Sequence, residues 1–236
     1  MSTNEQKEET AGLCREMIRS KSVSGEEKGV VEILSRFMRE KRFDEIVVDR
    51  FGSVIGTIRG KRPGPGILFD GHIDTVPVPD PAAWRHNPFA GDMADGRIYG
   101  RGASDMKGAT AAMVCAAAHF AEATERDFAG SVHVAGVVFE ELFEGVAARE
   151  ISGRVKPEFV VIGEASELNL KIGQRGRAEI ILETAGVPAH SANPEKGVNA
   201  VHAMMRYVGE VEKIVPGEQP VLGKGVSVLT DIISTP

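Results

Sequence analysis

The sequence has few cysteines, no long apolar run and no excess of basic residues, and each shortage argues against a class of protein. Its two cysteines are Cys14 and Cys115, so we expect no disulfide framework and a reducing, cytoplasmic location. No apolar stretch reaches the roughly 18 residues of a membrane span, and the polar start MSTNEQKEET has no apolar core of a secretory signal. The formal net charge of −6 lacks the basic surface that nucleic acids require. We therefore expect neither a membrane nor a nucleic acid as a partner.

Apolar periodicity predicts alternating helices and strands. Ser24 and Glu27 form the S-x-x-E pattern of a capping box before one helix. The other helical patterns of this part cover residues 5–20, 106–124 and about 145–151, and strand patterns occur within 45–60, 66–74, 133–141 and 158–166. This alternation predicts an α/β fold with a mixed, mostly parallel sheet flanked by helices.

The pattern of apolar and polar residues changes after Gly173, so we place a domain boundary near Gln174. The second part has an alternating strand pattern at 176–186, a turn-rich loop at 187–197 and an amphipathic helical pattern at 198–214. These elements are too few to close a second core. The predicted domains are residues 1–173 and an incomplete unit at 174–236.

The stretch FDGHIDTVP places Asp70, His72 and Asp74 inside an otherwise apolar strand pattern. Buried ionisable groups cost several kcal/mol unless they are paired or coordinate a metal. His72 and Asp74 are two residues apart, so their side chains are expected on the same side of the strand end. We assign Asp70 no part in this pairing and interpret it as an acceptor for the local backbone.

Further acidic residues follow the other predicted strands. Asp105 comes after the glycine-rich turn YGRGASD, Glu140 and Glu141 end the strand HVAGVVF, and Glu164 ends the strand FVVIG. Carboxyl ends of strands are where open α/β sheets build their sites. Taken singly, Asp105 or Glu164 could be a turn or cap residue, and the Glu pair could be the acidic start of a helix. Because all these residues occur together, each at the end of a predicted strand or turn, a single functional site is the favoured interpretation.

Carboxylates together with an imidazole suit Zn²⁺, with Co²⁺ or Mn²⁺ as alternative occupants. There are enough candidate ligands for two ions, with one carboxylate bridging them and a shared water activated between them. In this interpretation His72 is a ligand, and Asp74 accepts its other ring N–H and fixes its orientation.

The motifs GHIDTVP, GRGASDMKG, FEE and IGEAS, in this order, resemble a family of cocatalytic zinc hydrolases. This family includes acetylornithine deacetylase, succinyl-diaminopimelate desuccinylase, aminoacylase and the carboxypeptidase G enzymes. The segments FDGHIDTVPVPDPAAWRHNPFAG and IYGRGASDMKG are most similar to the selenium-metabolism-linked hydrolases of the family. The resemblance implies that His72 and Glu164 bind one zinc, that Asp105 bridges the two ions and that Glu141 binds the second.

The resemblance also implies the reaction, which is hydrolysis of an amide bond in an N-acyl amino acid or small peptide. Asp74 would support His72, and Glu140 would be the general base that later protonates the leaving amine. Residues 1–173 would be the N-terminal part of the catalytic domain, and residues 174–236 the start of a lid through which subunits form a homodimer. His190 would reach the partner subunit's site and help to stabilise the oxyanion.

The sequence also departs from the family pattern. The family completes its second zinc site with a late histidine that no residue here matches, so we expect a C-terminally truncated chain with at most one firmly held zinc. An inactive relic that keeps part of a metal site is one alternative. A nucleotide-binding protein that uses Gly100, Gly102 and Lys107 is another, although G-x-x-x-x-G-K-[ST] is absent. The substrate is not determined, with Arg175, Arg177 and Asn199 as candidate contributors to its binding.

Overall fold

A computed structural model describes residues 3–143 and 145–234. The chain forms two compact units, Met1–Leu168 and Asn169–Pro236. The helices are α1 (Thr3–Arg19), α2 (Lys28–Glu40), α3 (Gly108–Ala123), α4 (Val146–Val155) and α5 (Ala200–Val211). The strands are β1 (Glu45–Val48), β2 (Val54–Arg59), β3 (Arg62–His72), β4 (Asp92–Ala94), β5 (Arg97–Tyr99), β6 (Ala129–Val137), β7 (Phe159–Ile162), β8 (Glu218–Gln219) and β9 (Gly223–Lys224).

The first unit is built on a five-stranded sheet, counted over its described residues, with the order β1-β2-β6-β3-β7. Strand β3 is parallel to both β6 and β7, whereas β2 is antiparallel to β1 and β6. Strand β2 alone therefore runs against the other four, which confirms the predicted mixed, mostly parallel sheet. Because β3, β6 and β7 point the same way, the residues that follow them meet at one edge of the sheet.

The core lies between this sheet and the helices that flank it. The apolar stripe of α2 buries Leu34 and Met38, and the alanine-rich α3 buries Ala111 and Ala118. Small side chains allow α3 to lie close to β3. The packing is so close that a Cβ atom on Gly71 would lie 2.6 Å from the hydroxyl oxygen of Thr110. This tight packing fixes the end of β3 relative to the start of α3.

Two details of the first unit differ from the sequence prediction. The residue before α2 is Glu27, which has helical backbone angles and makes no capping hydrogen bond through its side chain, so the predicted capping box is wrong. The hydroxyl of Ser24 instead donates to the carboxylate of Asp74, which is a stronger acceptor than a neutral group. The β4–β5 hairpin was not predicted, because its strands of three residues are too short for a clear alternation.

The described residues of the second unit contain α5, the short β8–β9 hairpin and an isolated bridge between Val187 and Val198. Asn199 caps α5 by accepting a hydrogen bond from the amide of His202. Residues 176–186 have no assigned strand, so that prediction is wrong; within the described residues no neighbouring strand supplies the hydrogen bonds that a strand needs. Across the described residues, no helix has both the length and the apolar character to cross a membrane.

Candidate metal centre

His72 is the last residue of β3 and is 2 % exposed. The Thr110 hydroxyl of α3 donates to the backbone carbonyl of His72 over 3.3 Å, so the helix holds the strand end on which the imidazole sits. The neighbouring Gly71 has to be a glycine for this contact, since any Cβ atom there would overlap Thr110. The buried position of the ring is therefore set by the packing of α3 on β3.

Both ring nitrogens of His72 have oxygen neighbours. Nε2 lies 2.9 Å from Oδ1 of Asp105. Nδ1 lies 3.0 Å from the backbone carbonyl oxygen of Asp74 and 3.5 Å from its carboxylate Oδ1. The nearer partner of Nδ1 is thus the main chain of Asp74 and not the carboxylate that the sequence suggested. When Nδ1 donates to that carbonyl, the lone pair of Nε2 is left facing Asp105, as a metal ligand requires.

Asp105 lies in an irregular turn, Ala103–Lys107, that precedes α3. Gly102 has a φ of 81°, a left-handed conformation that favours glycine. Asp105 itself has an extended backbone with φ −128° and ψ 97°, and the peptide bond that follows it is cis. Its side chain is 63 % exposed although it contacts the buried His72. The carboxylate is therefore accessible from solvent.

Glu140 and Glu141 follow β6 and are held by Asp74 through their main chain. The amide of Glu140 donates to Oδ1 of Asp74 over 3.2 Å, and the amide of Glu141 donates to Oδ2 over 3.1 Å. Asp74 is fully buried. Its carboxylate therefore links the segment after β3 to the segment after β6.

The donor atoms of His72, Asp105 and Glu141 lie within 4.8 Å of one another. Glu164, which follows β7, brings Oε1 to 3.7 Å from Nε2 of His72. One imidazole and carboxylate oxygens at this spacing fit a divalent cation such as Zn²⁺. The structure thus brings together the four residues for which the sequence suggested metal binding.

The electrostatics of the cluster reflect its excess of carboxylates. Burial lowers the pKa of His72, but hydrogen bonds to Asp74 and Asp105 outweigh this and raise it to about 10. Burial raises the pKa of Glu141. Burial also raises the pKa of Asp70 to about 6, and nearby Glu164 adds to this effect. Such an acidic site favours a bound cation, whether a proton on His72 or a metal ion.

Asp74 behaves differently from these carboxyl groups. Burial raises its pKa, but the imidazole of His72 and the hydrogen bonds from Ser24 and the amide of Glu141 outweigh burial and lower it. These neighbours therefore keep the carboxylate of Asp74 ionised inside the protein.

Lys107 contradicts the nucleotide-binding interpretation. Its side chain is 1 % exposed, and Nζ donates to the carbonyl oxygens of Met17 and Ser20 over 2.9 and 3.0 Å. These carbonyls lie at the carboxyl end of α1, where a cation is favourable. Lys107 therefore holds α1 against the turn that carries Asp105, and it does not present its charge to a phosphate.

The sequence interpretation missed the loop between α1 and α2. Ser22 donates to the carbonyl of Ile73 over 2.7 Å, Ser24 donates to Asp74 over 2.6 Å, and Glu27 accepts from the amide of Phe139 over 3.1 Å. The pattern S-x-S-x-x-E was visible in the sequence, but its capping interpretation concealed these contacts.

His190 and Arg175 belong to the second unit. The Nδ1 atom of the exposed His190 accepts from the amide of Ala192 over 3.1 Å, and Arg175 donates to the carbonyl of Lys224 over 2.7 Å. The catalytic role of His190 stays a prediction.

Comparison with known proteins gives relatives that are longer than this chain. Protein YgeY of Escherichia coli is 34 % identical over 228 residues, which are 94 % of this chain and 56 % of YgeY. Succinyl-diaminopimelate desuccinylase of Cereibacter sphaeroides is 35 % identical over 206 residues, which are 83 % of this chain and 54 % of that enzyme. The chain thus spans about half the length of the curated relatives that it matches.

Among solved structures, the fold is similar to that of the Bacillus subtilis protein YxeP, which is described as a dinuclear metal-binding peptidase. The TM-score is 0.51 at 21 % identity, over 68 % of this chain and 43 % of that one. The sequence pattern of Peptidase family M20/M25/M40 matches residues 68–225. That range is more than half of the chain and contains His72, Asp105, Glu141 and Glu164, so the protein belongs to this peptidase family.

Proposed function

We propose that the protein is a metal-dependent hydrolase that cleaves an amide bond in an N-acyl amino acid or a small peptide. The observation that carries this proposal is the cluster of His72, Asp105 and Glu141, whose donor atoms lie within 4.8 Å of one another, with Glu164 beside it. The names of the relatives support the reaction class, because they include a desuccinylase and a peptidase.

We propose Zn²⁺ as the metal, with Co²⁺ or Mn²⁺ able to replace it, and two ions in a complete subunit. His72 and Glu164 would hold one ion, Glu141 the other, and Asp105 both. Bound metal supplies a water of lowered pKa and polarises the carbonyl oxygen of the substrate. The exposed carboxylate of Asp105 leaves this side of the site open to a substrate.

Glu140 is the proposed general base. It would take a proton from the attacking water and then deliver it to the nitrogen of the leaving amine, so that the amide and water become a carboxylic acid and an amine. Its main chain is fixed to Asp74, which is itself buried and keeps its position. His190 is the proposed group that stabilises the oxyanion from a second subunit of a homodimer, and the cytoplasm is the proposed location.

The test is to purify the 236-residue chain, measure zinc, cobalt and manganese per chain, and assay hydrolysis of N-succinyl and N-acetyl amino acids and of dipeptides. We expect bound metal, and loss of any hydrolysis after chelation and its return with Zn²⁺ or Co²⁺. Metal binding without hydrolysis of any substrate would favour the alternative, a metal-binding protein without catalysis. A chain that binds no metal would contradict the proposal.

A further inference from the structure

We propose that Ser24 is a positioning residue of the metal centre, whose hydroxyl fixes the Asp74 carboxylate and thereby the relative placement of His72, Glu140 and Glu141. The inference deepens the proposed function and rests on it for its consequence on metal binding. Ser24 belongs to the loop between α1 and α2, far in sequence from the strand ends that carry the cluster.

The contact between Ser24 and Asp74 is short, and its acceptor is buried. Oγ of Ser24 is 2.6 Å from Oδ2 of Asp74, and Asp74 is fully buried. Hydrogen bonds to an ionised acceptor are shorter and stronger than those between neutral groups. A buried carboxylate oxygen that loses such a donor pays a desolvation penalty. Asp74 therefore depends on this hydroxyl more than an exposed carboxylate would.

The carboxylate of Asp74 fixes the position of the segment after β6. Oδ1 accepts from the amide of Glu140, and Oδ2 accepts from the amide of Glu141 as well as from Ser24. The backbone carbonyl of the same residue is the nearest neighbour of Nδ1 of His72. A rotation of the carboxylate would weaken the hydrogen bonds from both the Glu140 and the Glu141 amide. One hydroxyl thus restrains both the proposed base and a proposed ligand.

Ser24 is itself held firmly. The amide of Thr75 donates to the carbonyl of Ser22 over 2.9 Å, and Val23 and Thr75 form a bridge. Glu27 is buried and accepts from the amide of Phe139. The loop is therefore tied to the segment after β3 and to the segment after β6. A hydroxyl on such a loop is pre-organised, as groups that support a metal ligand need to be.

Ser22 provides a matched control within the same loop. Its hydroxyl is buried and donates to the backbone carbonyl of Ile73, so Ser22→Ala also removes one hydrogen bond that holds the loop. It does not remove a donor to Asp74. A purely structural role of the loop would make the two alanine variants behave alike, whereas a positioning role separates them.

The first test uses the metal-free chain and amide hydrogen exchange measured residue by residue by NMR. In Ser24→Ala we expect the amides of Glu140 and Glu141 to exchange about tenfold faster than in the wild type, as for a weakened charge-assisted hydrogen bond. Ser24→Thr keeps a hydroxyl and should restore most of the protection. In Ser22→Ala these two amides should change no more than the amides of β6. Unchanged exchange at Glu140 and Glu141 in Ser24→Ala would overturn the inference.

The second test measures metal affinity by competition with a chromophoric chelator and records the visible absorption of the Co²⁺-loaded protein. Loss of an outer hydrogen-bond partner lowers metal affinity by roughly 10–100-fold, so we expect Ser24→Ala to bind about tenfold more weakly and to show an altered Co²⁺ spectrum. A variant with wild-type affinity and spectrum would contradict a positioning role. If the wild type binds no metal, the proposed function fails, and the exchange measurement still decides what Ser24 does to Asp74.

Discussion

Glu140 and Glu141 are adjacent residues to which we assign different roles. Glu141 contributes a donor atom to the cluster with His72 and Asp105, whereas Glu140 is the proposed base. Glu140→Gln should therefore keep metal content and melting temperature but lower turnover on the best substrate of the panel by at least ~10², the usual effect of losing a general base. Glu122→Gln, on exposed α3 surface, is the control. Near-normal turnover in Glu140→Gln would move the role of base to another residue.

Asp105 is the proposed bridging ligand, and its removal should affect every bound ion. Its Oδ1 lies 2.9 Å from Nε2 of His72, while its side chain is largely exposed. Asp105→Ala should therefore abolish metal binding with little loss of fold. Elemental analysis of the purified variant checks this, with the exposed Asp127→Ala as control. Retention of the wild-type metal content would show that Asp105 is not a bridge.

The proximity of the candidate site residues could be predicted from the sequence, but their supporting contacts could not. His72 ends a recognisable strand, and Asp105, Glu141 and Glu164 follow a turn or strand. The carboxyl ends of parallel strands lie together on one side of the sheet. The contacts of Ser24 and Lys107 could not be predicted in this way, because their partners are distant in sequence and are brought to them by tertiary packing. The local sequence pattern predicted that Ser24 caps a helix, but its hydroxyl donates to the buried Asp74 carboxylate instead.

At the scale of elements, strong periodicity predicted the helices and the central strands, whereas short or unpartnered strands were missed or wrong. Helix α2 has a continuous apolar stripe, and β3 and β6 are long strands that are mostly buried towards their carboxyl ends. The β4–β5 hairpin has three residues in each strand, too few for alternation to show. The alternating residues 176–186 form no strand because pairing with a neighbour decides strand formation, and a single sequence does not reveal the neighbour.

Lys107 joins two elements, so its replacement tests how α1 is held against the turn before α3. Lys107→Met should leave the carbonyls of Met17 and Ser20 without their donor, and each unsatisfied buried acceptor costs about 1–3 kcal/mol. Relief from burying a cation offsets part of this, so we expect the free energy of unfolding to fall by roughly 1–3 kcal/mol in urea titrations. Lys28→Met, whose side chain is almost fully exposed, should change it little. An unchanged stability in Lys107→Met would contradict the role of the lysine in fixing α1.

The same residue gives a pH dependence with a defined sign. Burial lowers the pKa of Lys107 to about 8, below the value of about 10.4 in an unfolded chain. Between these values the unfolded chain holds more protons at this residue, so its contribution to the free energy of unfolding rises with pH. The stability of the wild type relative to Lys107→Met should therefore increase from pH 8 to pH 10. A difference that stays flat or falls over this range would show that the lysine is not shifted downwards.

At the scale of the whole molecule, the chain covers about half the length of its curated relatives, and one edge strand of the sheet in its first unit carries exposed apolar side chains. The side chains of β7 are 43–61 % exposed, and within the described residues β7 pairs with β3 alone. The apolar run within residues 158–166 predicts a buried strand here, and the structure has the strand but with exposed side chains. The burial could not be predicted, since strand order depends on long-range pairing.

An open strand with apolar side chains favours pairing with another chain, so the purified 236-residue protein should associate in a concentration-dependent way through β7. Val161 lies in the middle of this strand and pairs in register with Phe69. Val161→Lys places a charge on the edge, as natural edge strands do to prevent association, and should shift the protein towards the monomer in sedimentation velocity experiments. Val146→Lys introduces the same charge on the exposed surface of α4 and should leave association unchanged. Only the lysine at position 161 lies on the open strand. If Val161→Lys associates as strongly as Val146→Lys and the wild type, β7 is not the contact.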